Sequence, residues 1–107
     1  MEDLNWDREF ALEQAAEDEE LLQELIEIFK ESAASDLANL KQGISKGDAS
    51  LSMASVHSIK GAAASLGLKG LQDLTAIMEA DCRQGSLRVV TEKISVLEQL
   101  LALLQKL

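Results

Sequence analysis

Apolar residues recur at intervals of three and four along nearly the whole chain, and no proline interrupts them. This spacing places apolar side chains on one face of an α-helix. Leu, Ala, Glu, Gln and Lys are abundant and favour helix, and no segment shows a pattern typical of a β-strand. The sequence therefore predicts an all-α fold.

Capping residues and glycines divide the pattern into five helices. The first is a short helix over residues 6–15, capped by Asn5 and docked on the rest through aromatic and apolar side chains. The second and third begin after Asp residues, and the second, third and fourth each end near a glycine. The predicted caps and stops of the later helices are Asp18, Gly47, Asp48, Gly67, Gly85 and Ser86, and the docking side chains of the first are Trp6, Phe10 and Leu12.

Each of the four long helices carries one apolar stripe that is expected to face a common core. Because the links between these helices are only a few residues long, consecutive helices should be antiparallel. We predict an up-down-up-down antiparallel four-helix bundle with a short additional N-terminal helix, forming a single domain over residues 1–107. The stripes are Leu22, Leu25, Ile26, Phe29, Ala33, Leu37, Leu40 and Ile44; Ala49, Met53, Val56, Ile59, Ala63 and Leu66; Leu68, Leu71, Leu74, Ile77, Met78 and Cys82; and Leu87, Val90, Ile94, Leu97, Leu101 and Leu104.

Composition excludes several other classes of protein. With 107 residues, 47% of them apolar, the chain can bury a core without metal or disulfide support. The single cysteine, Cys82, cannot form an internal disulfide or a zinc site and is expected to be a buried apolar residue in a cytoplasmic protein. No apolar run is long enough to span a membrane, and the N-terminus has no secretory signal pattern.

The charge distribution argues against nucleic acid as a partner. The net charge is −9, and residues 1–40 hold thirteen acids but only two bases. Between residues 41 and 70 the balance reverses, since four lysines there face only Asp48. This predicts a mildly basic patch suited to an acidic partner, formed by Lys41, Lys46, Lys60 and Lys69.

His57 is the only histidine, and helical geometry directs it away from the apolar positions of the third helix. The residues within about 80° of it are mostly small, so a second protein could approach the imidazole closely. Met53 and Lys60 are the only long neighbours, both on one flank. The small residues on this face are Ser50, Ala54, Gly61, Ala64 and Ser65, and we expect them to contact a partner.

Gly61 lies four residues after His57, where a glycine costs a helix about 1 kcal/mol relative to alanine. Two explanations are open: the glycine leaves space for the ring and a group attached to it, or it allows a neighbouring helix to cross closely. Lys60, three residues after His57, could hold an anion bound to the ring. From the sequence, no acid, second histidine or metal cluster can be placed beside His57.

A neutral imidazole is a nucleophile toward phosphorus near neutral pH, and Lys60 would offset the charge of the product. The transfer also needs electrostatic stabilisation that this chain lacks, so a partner would have to supply it. We therefore expect no cofactor or metal ion belonging to this chain.

The segment H-S-I-K-G-A-A-A-S-L-G at 57–67 resembles the H-x-x-K-G-x-x-x-x-x-G signature of histidine phosphotransfer (HPt) domains. The segments at 20–31, 46–48 and 66–71 are similar to the family pattern as well. The resemblance implies a four-helix bundle in which His57 is the phosphoacceptor, Lys60 stabilises the phosphoryl group and Gly61 leaves space for it. It also implies that response-regulator receiver domains, with an aspartate and Mg²⁺ of their own, are the partners.

The function predicted on this basis is that of a cytoplasmic, monomeric phosphorelay intermediate, a phosphocarrier without kinase or phosphatase activity of its own. A hybrid sensor histidine kinase is a further candidate partner. Three alternatives stay open: the phosphodonor domain of a chemotaxis-type histidine kinase, a helical adaptor in which His57 is incidental, and an enzyme that uses His57 as a general base.

Overall fold

The structure, a computed structural model, describes residues 3–107 and contains five α-helices. Over that range it has no β-strand; Trp6 and Leu68 form one isolated backbone bridge. The all-α prediction is confirmed. The helices are α1 (Arg8–Gln14), α2 (Glu19–Lys46), α3 (Ala49–Ser65), α4 (Lys69–Arg83) and α5 (Arg88–Leu104).

Aspartate caps and a left-handed glycine set the bounds of α2 and the start of α3, as predicted. The Asp18 carboxylate accepts hydrogen bonds from the backbone N–H groups of Glu20 and Leu21 at 3.0 and 3.2 Å. The Asp48 carboxylate accepts one from the N–H of Leu51 at 2.9 Å. Gly47 has φ +66°, a conformation in which glycine avoids the steric cost of a Cβ atom, and α3 begins two residues later.

Two other predicted caps are wrong in detail. Asn5 does not cap α1; Asp7 does, through its carboxylate and the N–H of Phe10 at 3.1 Å. Ser86 lies just before the start of α5, and its hydroxyl accepts from the N–H of Arg88. A second acceptor comes from α4, where an Asp81 carboxylate oxygen receives the Val89 N–H at 3.0 Å and the Ser86 hydroxyl at 2.8 Å. The sequence pattern missed this cap because the acid belongs to the preceding helix.

The predicted apolar stripes meet in one core. Helix α3 packs against α2 and α4, and α5 packs against α4 and α2. All but one of the predicted stripe residues are buried or partly buried. The exception is Ile77, which is 56% exposed because it projects about 120° from the centre of the buried arc of α4. The up-and-down order of the helices stays a prediction.

A close approach of α2 to α3 fixes how α3 is seated. A Cβ atom on Gly43 would clash with the Ser52 hydroxyl and lie 3.0 Å from the Ser52 backbone nitrogen, so glycine permits this close approach. Ser52 and Ser55 are buried on this side, and their hydroxyls donate to the carbonyls of Asp48 and Leu51 at 3.0 and 2.9 Å. Both polar groups are thereby satisfied inside the core.

The segment before α1 crosses the turn between α3 and α4. The Trp6 indole N–H donates to the carbonyl of Leu66, and the Asp7 N–H donates to that of Gly67, both at 2.9 Å. The predicted docking of Trp6 is confirmed, whereas Phe10 docks only in part and remains 37% exposed. These bonds hold the C-terminal end of α3 in place.

Candidate functional site

His57 lies in the middle of α3, between the fully buried side chains of Val56 and Ile59. Its own side chain is 66% exposed, as the helical geometry predicted. The buried neighbours fix the rotation of α3, and the imidazole is therefore presented to solvent from a rigid element.

The surface on one side of His57 is low, because small side chains that project little from α3 form it. Four of the five small residues predicted to share its face are exposed, and Ala64 is partly buried. A Cβ atom added to Gly61 would meet nothing within 4 Å. The hypothesis that Gly61 allows another helix of the bundle to cross is therefore wrong, and the cost of this glycine is not offset by packing within the chain.

Glu79, on α4, is the residue that the sequence analysis missed. Its carboxylate is buried. One carboxylate oxygen is hydrogen-bonded to Nδ1 of His57, and the other accepts a hydrogen bond from the Lys60 ammonium. The expectation that no acid could be placed beside His57 is thus wrong. Glu79 is 22 positions from His57 in sequence, and only the packing of α4 on α3 brings them together.

The charges of Glu79 and Lys60 determine which nitrogen of the His57 imidazole carries the proton. The Lys60 ammonium lowers the pKa of the Glu79 carboxyl most strongly, burial opposes this, and His57 lowers it further. Glu79 is therefore an ionised carboxylate that can only accept, so Nδ1 must carry the proton in their hydrogen bond. In the neutral ring the lone pair then lies on Nε2.

A sequence signal for Glu79 did exist. In a helical projection it falls about 80° from the centre of the α4 apolar arc, at the border of the core. An acid at such a position needs a partner, because an unpaired buried carboxylate is costly. That signal reveals an acid in need of a cation, but it does not identify the cation.

Three of the four lysines predicted to form a basic patch are paired with acids from other elements. Lys41 lies 3.1 Å from Glu98, Lys69 lies 3.8 Å from an oxygen of Asp7, and Lys60 bonds Glu79. The predicted patch is thus largely neutralised. The loss of positive potential has a tertiary cause, since these acids come from α5, α4 and the segment before α1.

Arg83 adds a second cation to the site. One of its guanidinium nitrogens is 3.5 Å from Glu79, and its side chain is 66% exposed. It lines a shallow cavity of 340 Å³ with Met53, Ala54, His57 and Glu79. Lys60 follows His57 on α3, whereas Arg83 borders the cavity beside residues that precede it.

An apolar groove adjoins the low surface, formed by α1, α2 and α3. Ile28 is 63% exposed on its α2 side, and the groove also includes Ala62 and Ser65 of α3. The rim on α2 is acidic, because Glu20, Glu24 and Glu27 border the exposed Ile28. A large exposed aliphatic side chain in such a groove is typical of a contact surface.

Cys82 is buried as predicted, and burial raises the pKa of its thiol, which makes it a poor nucleophile.

Within residues 3–107, no group of three or more His, Cys, Asp and Glu side chains is arranged to hold a metal ion. No helix in the described part of the chain is long and apolar enough to cross a membrane.

The site is thus an exposed imidazole on a helical module, bonded to a buried carboxylate that also contacts two cations. A profile of the Hpt domain family matches residues 24–107. The chain belongs to the Hpt domain family, whose members are phosphocarrier modules in two-component signalling. No curated protein and no solved structure matches the chain.

Proposed function

We propose that this chain is a phosphorelay intermediate that accepts a phosphoryl group on Nε2 of His57 from a receiver-domain aspartate and returns it to another. The observation that carries the proposal is the bond between Glu79 and Nδ1, which leaves Nε2 as the free nucleophilic nitrogen of an exposed ring. In this proposal the chain is a cytoplasmic monomer that folds as an up-down-up-down antiparallel four-helix bundle. It has no kinase or phosphatase activity of its own.

The transfer step begins when the Nε2 lone pair attacks the phosphorus of an aspartyl phosphate. The N–P bond forms, the P–O bond to the aspartate breaks, and the aspartate leaves as a carboxylate with the bonding electron pair. The ring keeps its Nδ1 proton and becomes positively charged. Glu79 stabilises that charge through its existing hydrogen bond, as a buried carboxylate does for other catalytic imidazoles.

The same arrangement favours the return reaction. A phosphoimidazole that is protonated on Nδ1 is a better leaving group than a neutral one, because the electron pair of the N–P bond returns to a cationic ring. Glu79 therefore keeps the ring in the protonated form from which the phosphoryl group leaves more readily. A carrier needs this property, since it must donate as readily as it accepts.

Lys60 and Gly61 have separate roles in this proposal. The ammonium of Lys60 is about a third exposed and bonded to Glu79, so it can turn from the carboxylate to a phosphoryl oxygen without leaving the site. Gly61 leaves open space on the approach to Nε2. The small residues Ser50, Ala54, Ala64 and Ser65 let the receiver reach His57.

The apolar groove gives the receiver its second point of contact. Its residues Ala62 and Ser65 lie one to two helical turns beyond His57 on α3, about 7–12 Å along the axis. A receiver held there by an apolar surface can place its aspartate over the imidazole. The acidic rim favours a receiver whose docking surface carries basic residues around an apolar centre.

Phosphorylation by potassium phosphoramidate, followed by intact-mass analysis, tests this function. The wild-type protein should gain one acid-labile phosphoryl group and pass it to a receiver domain, whereas His57→Gln should gain none. Since His57 is exposed, the variant should keep the wild-type circular-dichroism spectrum and melting temperature.

In the same assay, each alternative function gives a result that differs from the one expected of a phosphorelay intermediate. A helical adaptor would show no labelling of the folded wild-type protein. An enzyme using His57 as a general base would form no stable phosphoprotein. A labelled protein that cannot phosphorylate any member of a receiver panel would contradict the relay function.

A further inference from the structure

We infer that Arg83 is a second phosphoryl-binding residue, which holds the phosphoryl group on His57 together with Lys60. This inference rests on the proposed function and extends it to a residue of α4. Lys60 follows His57 on α3, and Arg83 borders the cavity beside Met53 and Ala54. A group attached to the exposed imidazole would thus have both cations on its α4 side, with Lys60 toward the C-terminal end of α3 and Arg83 toward the N-terminal end.

The charges of the site require more than Lys60. Before phosphorylation, the negative charge of Glu79 is shared between the Lys60 ammonium and the Arg83 guanidinium, and the neutral ring adds nothing. A phosphoryl group brings a charge of about −1.5 to −2 near neutral pH. Because the imidazole is positively charged after the transfer, the phosphoryl group, Glu79, the ring and Lys60 together carry a net charge of about −0.5 to −1, and Arg83 compensates it.

The contacts of Arg83 suit a change of partner. Its separation from Glu79, 3.5 Å, is long for a charge-assisted hydrogen bond, and its side chain is mostly exposed. Glu79 keeps its bonds to His57 and Lys60 when Arg83 leaves. A guanidinium can bind two phosphoryl oxygens at once, and here it would reach them across the cavity that both groups line.

The test is a ³¹P NMR titration of the full chain after labelling with potassium phosphoramidate, comparing wild type with Arg83→Gln. A cation that binds the phosphoryl group favours its dianion, so its removal should raise the titration midpoint of the group by about 0.5 pH unit. That is about a threefold change in proton affinity, the size expected for one exposed charge contact. Arg83→Lys keeps the positive charge, so its titration midpoint should lie between those of Arg83→Gln and the wild type.

Arg88→Gln is the matched control. Arg88 is also an exposed arginine paired with a glutamate four residues away, Glu92, at 3.3 Å, but it lies on α5. Its removal changes the net charge equally and should leave the midpoint unchanged. A purely structural role of Arg83 would alter the ¹⁵N resonances of the unphosphorylated His57 ring without altering the ³¹P titration.

Each outcome has a defined meaning. A midpoint in Arg83→Gln equal to that of the wild type, or an equal shift in Arg88→Gln, would overturn the assignment of Arg83 and leave the phosphocarrier function intact. A folded wild-type protein that phosphoramidate does not label would overturn both. A shift in the Arg83 variant alone, with partial recovery in Arg83→Lys, would establish the contact.

Discussion

Replacement of Gly61 by alanine should stabilise the protein, whereas most single substitutions destabilise the protein that carries them. A Cβ atom at this position meets nothing within 4 Å, and the backbone is helical. The full difference in helix propensity, about 0.8–1 kcal/mol in the free energy of unfolding, should therefore appear. With an unfolding entropy of about 2.1 cal/mol/K per residue, this raises the melting temperature by about 4 °C.

Gly61→Leu separates stability from function. Leucine is nearly as good a helix former as alanine, so the melting temperature should still rise, by about 3 °C. The larger side chain occupies the approach to Nε2, and we expect transfer to a receiver to fall at least about tenfold, equivalent to a barrier of about 1.4 kcal/mol. Labelling by the small donor phosphoramidate should fall less than transfer to a receiver does.

The measurements are thermal unfolding by circular dichroism and the rate constant of transfer from phosphorylated protein to a receiver. Gly47→Ala is the stability control: its Cβ also meets nothing within 4 Å, but φ is +66°, so the melting temperature should fall by about 4 °C. Ser95→Leu, exposed on α5, is the control for transfer and should have no effect on it. Unchanged stability in Gly61→Ala, or wild-type transfer by Gly61→Leu, would refute the reasoning.

Four further predictions concern the site and its surroundings. Lys60→Ala should leave the fold intact but shorten the lifetime of phosphohistidine or slow transfer, and equal lifetimes and rates would exclude Lys60 from the mechanism. Because the pKa of Glu79 is lowered in the folded state, its ionised form adds stability that is complete above its ordinary pKa of 4.5 and is lost as pH falls through the lowered value. Glu79→Gln should therefore flatten this part of an acid-unfolding curve; an unchanged curve would contradict the pairing. Burial raises the pKa of the Asp36 carboxyl more than Ser58 lowers it, so Asp36→Asn should stabilise the protein at pH 7 and by progressively less as pH falls toward 3.8; a loss of stability at pH 7 would count against it. Ile28→Asp should weaken receiver binding while phosphoramidate labelling persists, and wild-type receiver affinity would show that the apolar groove is not the contact surface.

Local chemistry explains which parts of the fold were predictable. The caps Asp18 and Asp48 and the stop at Gly47 act within a few residues of their own positions, so the sequence alone identifies them. The caps of α1 and α5 differed because alternative acceptors, Asp7 and Asp81, were available nearby. Ile77 was placed in the core by its spacing, although its angular position lies on the outer side of α4.

The features of the site likewise divide into those that the sequence determined and those that the packing of the helices determined. The sequence by itself determined that His57 points outward from α3, because the periodicity of one helix fixes which face is buried. It also determined that Lys60 and Gly61 lie beside the imidazole, since residues three and four apart are neighbours on a helix. These relations hold wherever the helix is placed.

Only the tertiary structure decided what lies opposite. The pairing of His57 and Lys60 with Glu79, the approach of Arg83 and the neutralisation of Lys41 by Glu98 all join different helices. Such contacts depend on the rotation and axial position of one helix against another, which the packing of whole apolar faces fixes. The sequence therefore specified the exposed histidine, and the packing of α4 on α3 specified which of its two ring nitrogens is bonded to Glu79 and which is left for the proposed transfer.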